Sequence, residues 1–448
     1  MDLSQYNNKK ILILGLGREG LSSLQFFLEN CPKAGLGIAD KAQSDDFNPD
    51  IKKLVAQNPQ IEIFPGENYL SQINEYDIII KTPGIPIHIP EIEQAYSKGK
   101  ISSQTEIFFE QCPGTIIGVT GTKGKSTTSS IIYDIFKAAG KKVSLVGNIG
   151  TPMLSFLQDA TADSFFVCEL SAHQLYGLKK SPHVSVLLNI YPEHLDYYKD
   201  FDEYIRAKAN IALHQVESDY LIYDSSNTEA AGIAQQAISK KIAINEYDWE
   251  YSGRTALIGK FNLDNAKVGA IIAHEYVIPD VIINSAIEKF KPLDNRLEFL
   301  GTFDGIDCYN DSLSTIQESA VAAINGLGER VQTLIAGGYE RNQPFDKLAD
   351  AILSSKIRVL LLFPTTGERI WSQVKNAGAK KPARLAQLTP FFVGSMEEAV
   401  GLVLKNTDRG NICLLSAASA SFGGFRDYAD RGKQFKEWLA KLAKKKNG

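Results

Sequence analysis

The chain has 448 residues, of which 44% are hydrophobic and 22% charged, with a formal net charge of -4. That length exceeds one ordinary core and predicts two or three domains. The balance fits a soluble globular protein and excludes the strongly basic footprint of a nucleic-acid binder.

Apolar runs alternate with helical patterns along the chain, which predicts parallel α/β architecture. The run at residues 11–14 is too short for a signal peptide or a membrane span, and no later apolar stretch approaches membrane length. It reads as a strand, followed by Gly15-x-Gly17-x-x-Gly20 and a helix with Leu21, Leu24 and Leu28 on one face. A second strand ends at Asp40, and another, residues 76–80, runs into Lys81-Thr82-Pro83-Gly84. This glycine pattern, with Asp40 at a ribose-binding distance, is the dinucleotide fingerprint and alone points to NAD. The glycines read only a pyrophosphate on a helix end, so any nucleotide diphosphate satisfies them. A tight strand-to-helix turn without ligand is the plain alternative. The unit ends near residue 105.

Residues 115–128 are a β-branched run, then Gly121-Thr122-Lys123-Gly124-Lys125-Ser126-Thr127, then a helical pattern with Ile131, Ile135 and Ala139 on one face. Glycines let backbone N–H groups approach phosphate oxygens, and the helix N-terminus adds its positive end. Lys125 can reach the β/γ-phosphates and the Ser126 hydroxyl can sit on Mg²⁺. Val119 stands where the strict phosphate-loop spacing demands glycine, so the loop is a variant.

Later strands are expected at residues 165–170 and 184–190. Glu169 ends the first of these, where an acid beside a phosphate loop is well placed to hold Mg²⁺; a solvated carboxylate is the alternative. His194 follows the second in Glu193-His194-Leu195-Asp196, and a lone His is more often structural. Tyr204, Lys208 and Ile211 share a helix face, where a Lys is ordinarily a snorkelling stem. An ammonium cannot ligate a metal, so Lys208 needs chemical modification to join His194 in a metal site. A third unit begins after Pro292, with strands at residues 306–309, 331–336, 359–363 and 412–415. Asn310-Asp311-Ser312 closes one of them. The small hydroxyl residues after 416 could hold a carboxylate at a helix N-terminus. Cys31, Cys112, Cys168, Cys308 and Cys413 have no metal-type spacing and read as free thiols of a reducing cytoplasm. The Lys444-Lys445-Lys446 tail reads as a solvated end.

Taken together, these stretches resemble the ATP-dependent Mur ligases of peptidoglycan synthesis. The likeness runs in order through residues 118–128, Gly147-Asn148-Ile149-Gly150, Glu169-Leu170-Ser171 with Gln174-Leu175, Glu193-His194-Leu195-Asp196, and Tyr204-x-x-Ala207-Lys208. It continues through Asn262-x-x-Asn265, Asn295-Arg296-Leu297-Glu298, Asn310-Asp311-Ser312, Leu414-Leu415-Ser416, Ala420-Ser421-Phe422 and Arg431-Gly432. The first glycine turn with Thr82-Pro83-Gly84 singles out the glutamate-adding branch.

The resemblance implies a three-domain α/β protein: a Rossmann-like UDP-binding domain (1–105), a central ATP-binding parallel-sheet domain (106–292) and a Rossmann-like glutamate-binding domain (293–448). Gly15, Arg18, Glu19, Asp40, Thr82, Pro83 and Gly84 would bind the UDP moiety and Asn148 the muramoyl group. Gly121, Thr122, Lys123, Gly124, Lys125, Ser126 and Thr127 would hold the ATP phosphates, and Asn265, Arg296 and Asp311 the rest of the nucleotide. Ser126 and Glu169 would hold one Mg²⁺, and His194 with a carbamylated Lys208 a second. Thr315, Ser421, Phe422 and Tyr428 would surround glutamate. Lys125, His194 and Lys208 would be catalytic. The implied substrates are ATP, UDP-N-acetylmuramoyl-L-alanine and glutamate, for a cytoplasmic monomer with no membrane span and no nucleic-acid partner.

Three positions depart from the common D-glutamate pattern: Leu313 replaces a Lys, Asn295 a His, and Arg341 stands for the Lys after Gly337-Gly338. With Leu313-Ser314-Thr315 they keep an L-glutamate-adding variant open. A nicotinamide-dependent oxidoreductase would leave the second glycine loop unexplained. Folylpolyglutamate synthetase-type ligases share that loop but lack the first nucleotide domain. A non-catalytic paralogue would not retain Lys125, Glu169, His194 and Lys208.

Overall fold

The computed structural model describes residues 1–195 and 197–446; Asp196, the last residue of the His194 motif, lies outside them. The chain divides into two compact units, Met1–Ser252 with Asp264–Ile287, and Gly253–Leu263 with Glu288–Gly448.

The first unit holds two parallel sheets. Strands β1 (Lys10–Leu14), β2 (Gly35–Asp40), β3 (Glu62–Pro65), β4 (Ile78–Lys81) and β5 (Ile101–Ser102) run in the order β3-β2-β1-β4-β5. Ile11, Leu12, Ile13 and Leu14 are all buried, as an inner strand covered on both faces requires. The second sheet comprises β6 (Thr115–Thr120), β7 (Val143–Gly147), β8 (Phe165–Glu169), β9 (Val184–Leu187), β10 (Tyr220–Tyr223) and β11 (Lys240–Ala243), in the order β11-β10-β9-β6-β8-β7. Strand order reverses at β6, which lies between β8 and β9. In an open parallel sheet that reversal opens a crevice beyond the strand C-termini, where ligands bind. The Gly121–Gly124 loop, Glu169 and the segment after Leu187 all leave the sheet there.

The second unit has one sheet of β12 (Glu298–Phe303), β13 (Ile306–Asn310), β14 (Val331–Gly337), β15 (Val359–Phe363), β16 (Thr389–Phe392) and β17 (Ile412–Leu415), ordered β12-β13-β17-β14-β15-β16. All pairings are parallel except β12 with β13. That hairpin departs from the purely parallel expectation. It turns on Asp304-Gly305, with φ of +51° and +80°, the positive pair that a two-residue hairpin favours.

The strand expected at 184–190 ends at Leu187. Beyond it the backbone is spent on the glycine loop: Leu188 N donates to Thr120 O at 3.0 Å and Asn189 O accepts from Thr122 N at 2.6 Å. Cys168, Cys308 and Cys413 lie buried in strands, and all five cysteines are free thiols. Among the described residues no helix is long and apolar enough to cross a membrane.

Candidate active site

The glycine loop joins β6 to the helix Lys125–Ala138. Gly124 is its N-cap at φ +90°, and a Cβ there would come within 2.9 Å of Asn265 Oδ1. Gly121 has φ +156° and a Cβ would meet Leu188 Cβ at 2.8 Å. Both positions need glycine for conformation and for space. The loop is clamped from outside. Asn189 accepts from Lys123 N at 2.9 Å through Oδ1 and donates to Lys123 O at 3.2 Å through Nδ2. Thr122 Oγ1 accepts from Tyr191 N at 2.9 Å and donates to Tyr191 O at 3.2 Å. Lys125 Nζ donates to Gly121 O and Thr122 O at 2.9 and 3.0 Å, which holds its charge over the loop. Lys123 Nζ instead pairs with Glu193 Oε1 at 2.8 Å. Burial alone would raise the Glu193 pKa, but Lys123 and then His194 pull it down to about 2. Ser126 and Thr127 are buried in the first helical turn, and Thr128 Oγ1 donates to Asn265 Oδ1 at 3.0 Å.

Glu169 is only 2% exposed at the end of β8. Its Oε1 accepts from Asn148 Nδ2 at 2.8 Å, whereas its Oε2 is buried with no hydrogen-bond partner. A buried carboxylate oxygen without a donor is costly, and its chemistry fits a hard cation. Lys208, on the helix Phe201–Ala209, is 1% exposed and does not snorkel. Its Nζ donates to Gly121 O at 2.9 Å and lies 3.3 Å from Thr120 Oγ1. Burial first, then the Lys125 ammonium, push its pKa well below that of an ordinary lysine. A neutral amine is the form that adds CO₂, so the environment fits a carbamate. His194 sits at φ +59°, a strained conformation for a non-glycine residue. Burial holds its imidazole pKa below the usual value, which suits a neutral metal ligand. Beside it His173 packs 5.0 Å away, ring to ring, and donates to or accepts from Tyr198 OH at 2.7 Å. Among the described residues no group of three or more His, Cys, Asp or Glu side chains forms a ready-made metal cage.

The first glycine turn is built differently. Gly15 has φ +91°, and a Cβ there would overlap Thr82 Oγ1 at 2.0 Å. Asp40 accepts from Leu16 N at 2.6 Å through Oδ2 and from Ala42 N at 2.8 Å through Oδ1, so both oxygens shape the turn. Thr82 Oγ1 donates to Leu14 O at 3.1 Å, and Pro83 O accepts from Tyr197 OH at 3.3 Å. Glu19 accepts from Gln174 Nε2 at 2.8 Å, and burial raises its pKa. Lys81 is buried nearby; desolvation lowers its pKa to about 8.

In the second unit Asp311 accepts from Ser314 and Ser416 hydroxyls and from Leu297 N. Burial nevertheless raises its pKa to about 6. Arg431 is fully buried and donates to Ser312 Oγ, Ser312 O and Ser419 O at 2.9, 2.7 and 3.2 Å. Asn310 Nδ2 donates to Asn295 Oδ1 at 2.9 Å. Asn295 is at φ +63°, a conformation asparagine tolerates. Thr315 O accepts from Gln343 Nε2 at 3.2 Å. Phe422 is half exposed, with the Arg341 guanidinium 5.4 Å from its ring centre; Tyr428 is exposed and Ser421 buried.

The Mur ligase middle domain matches residues 119–273, and the N-terminal domain of MurD-like Mur ligases matches residues 9–102. A UDP-N-acetylmuramoylalanine--D-glutamate ligase of Clostridium kluyveri is 34% identical, with 96% of each chain covered. The enzyme of the same name from Acetivibrio thermocellus is 31% identical, again over 96% of each. The chain belongs to the Mur ligase family. Its fold is also that of the MurF ligase of Thermotoga maritima, solved in complex with ADP, with a TM-score of 0.59 at 15% identity, covering 99% of this chain and 97% of that one.

Within this Mur ligase chain, the structure gathers residues 121–127, Asn148, Glu169, His194, Lys208 and Asn265 around the C-terminal end of the second sheet. Gly15, Arg18, Glu19, Asp40 and residues 82–84 gather at the first. Arg296, Asp311, Thr315, Ser421, Phe422 and Tyr428 belong to the second unit. Sequence reading missed Asn189, the clamp on the loop, although a polar residue directly after an apolar strand is a readable signal. It also gave no role to Lys81, His173 or Arg431. Their burial depends on contacts between segments far apart in the chain.

Proposed function

We propose that this protein joins D-glutamate to UDP-N-acetylmuramoyl-L-alanine at the expense of ATP, in cytoplasmic peptidoglycan precursor synthesis. The observation that carries the reading is the glycine loop at the switch point of the second sheet, with Lys125 above it and the unpartnered Glu169 Oε2 beside it. The full-length likeness to enzymes named for that reaction supports the choice of substrates.

The three domains divide the work. Residues 1–105 take the UDP moiety on the turn at Gly15, Arg18 and Glu19, shaped by Asp40 and backed by Thr82, Pro83 and Gly84. Residues 106–292 take ATP on the loop Gly121, Thr122, Lys123, Gly124, Lys125, Ser126 and Thr127, with Asn148 toward the muramoyl group. Residues 293–448 take glutamate among Thr315, Ser421, Phe422 and Tyr428, while Asn265, Arg296 and Asp311 serve the nucleotide.

The backbone N–H groups of the loop and Lys125 orient the γ-phosphoryl group toward the alanine carboxylate, and the same lysine offsets charge as it transfers. The acyl phosphate is then attacked by glutamate's amine, and phosphate leaves as the amide forms. Ser126 and Glu169 would hold one Mg²⁺, and His194 with a carbamylated Lys208 a second; when bound, these ions would neutralise phosphate charge. Burial favours the neutral imidazole of His194, and the lowered pKa of Lys208 favours the amine form that adds CO₂.

Phosphate release from ATP, measured with UDP-N-acetylmuramoyl-L-alanine and each glutamate enantiomer, tests the reading. Turnover that needs both ATP and D-glutamate is expected. Faster turnover with L-glutamate would overturn the stereochemistry, and no phosphate release with either would overturn the ligase assignment.

A further inference from the structure

Arg18 opens the helix Arg18–Asn30 behind the first glycine turn. Its guanidinium reaches across to backbone carbonyls. It donates to Gly150 O and Asn148 O, both at 3.1 Å, and lies 3.4 Å from Gly147 O. These carbonyls belong to the loop that follows β7 in the second sheet. That loop is committed to its shape. Gly147 and Gly150 have φ of +100° and +82°, and a Cβ would come within 2.4 Å of Glu169 O at the first and of Leu145 O at the second.

The same loop holds Glu169. Asn148 N donates to Glu169 O at 3.0 Å, and Asn148 Nδ2 donates to Glu169 Oε1 at 2.8 Å. One residue therefore gives its carbonyl to Arg18 and its amide to Glu169. With Oε1 engaged, Oε2 is the buried oxygen left without a protein donor. A second tie runs in parallel. Glu19 accepts from Gln174, and Gln174 closes a capping box with Ser171, two positions after Glu169.

We propose that Arg18 is a positioning residue for the cation site. Its guanidinium fixes residues 147–150 so that Asn148 turns the Glu169 carboxylate and presents Oε2 to the ion. The proposal rests on the reading of Glu169 as a cation ligand. A planar fork can serve several carbonyls at once, which a lysine's point charge cannot do in the same geometry.

The test is a titration of Mn²⁺ into the full-length protein with ADP present, following the free-ion electron paramagnetic resonance signal. UDP-N-acetylmuramoyl-L-alanine affinity is measured alongside by calorimetry. Arg18→Ala should weaken Mn²⁺ binding about fivefold or more with no UDP substrate present, the loss expected of a charge-assisted hydrogen-bond set and one that no change in substrate affinity can cause. Arg18→Lys should fall between the two. In an Asn148→Ala background, Arg18→Ala should add less than about twofold, because the connection is already cut. Mn²⁺ affinity unchanged by Arg18→Ala would overturn the proposal, whatever happens to substrate affinity. Failure of the unmodified protein to bind Mn²⁺ with ADP would bring down the cation reading itself, and the proposal with it.

Discussion

Buried charge is handled in opposite ways in the two units. In the second, Asp311 collects two serine hydroxyls and a backbone N–H, and Arg431 donates to a serine hydroxyl and two carbonyls. In the first, Glu169 keeps one oxygen without a donor, His194 is held in a strained backbone conformation, and Lys208 is driven toward its neutral form. A self-satisfied network rigidifies the loops around it. An unsatisfied one costs stability and is retained where a ligand completes it. The contrast marks the first unit's cluster as the one that a ligand has to complete.

The largest expected effect is at Lys125. Lys125→Ala should lower turnover about a thousandfold or more, since it removes a cation aimed at transferring charge. UDP-substrate affinity by calorimetry should stay within about twofold. Equal losses in both would erase the division of labour between the two sheets of the first unit.

Next is Lys208. Lys208→Ala should be nearly inactive, and short carboxylic acids should restore part of the rate by supplying the missing oxygen ligands. Wild-type activity of this variant in bicarbonate-free buffer would contradict the carbamate. Smaller again is the choice of enantiomer. Inversion moves the amine away from the acyl phosphate, so D- and L-glutamate should differ by more than about tenfold, roughly 1.4 kcal/mol of barrier. Equal rates would mean that Thr315, Ser421, Phe422 and Tyr428 do not form the pocket.

The smallest effect belongs to Asp311 and appears in stability against pH. Burial raises the Asp311 pKa from the ordinary aspartate value of 3.8 to about 6 in the folded protein. Between those values the folded state binds more protons than the unfolded, so its contribution falls as pH rises through that window. The stability of Asp311→Asn relative to the unmodified protein should therefore increase from pH 4 to pH 7 by on the order of 2 kcal/mol. A difference independent of pH, measured by denaturant unfolding, would show that the serines fully offset burial.

Much of this was legible in the residues, and the exceptions have physical causes. The glycine loop was readable because its chemistry is local: strand, glycines and helix start are contiguous. Asp304-Gly305 carried a hairpin signal in plain view, yet the alternation of strands and helices favoured an all-parallel reading. The expected strand after Val184 is too long because Leu188 and Ile190 are apolar; the Leu188 N–H, however, goes to Thr120 O at the start of the loop, and the Ile190 backbone pairs with the Asn227 side chain. Asp40 is a ribose-ligand candidate by spacing, and the part its oxygens also play in shaping the turn shows only in the fold. The orphan oxygen of Glu169, the burial of Lys208 and the grip of Arg18 on residues 147–150 depend on segments brought together only by the fold.

The most direct test of the contrast is Glu169→Gln, with thermal unfolding and phosphate release measured side by side. Glutamine keeps an acceptor for Asn148 and removes the charge that lacks a donor. Unchanged or slightly raised unfolding temperature in ligand-free protein, with turnover reduced about a hundredfold or more, is the predicted result. A lower unfolding temperature with turnover retained would show that Glu169 is scaffold and that the reaction centre lies elsewhere.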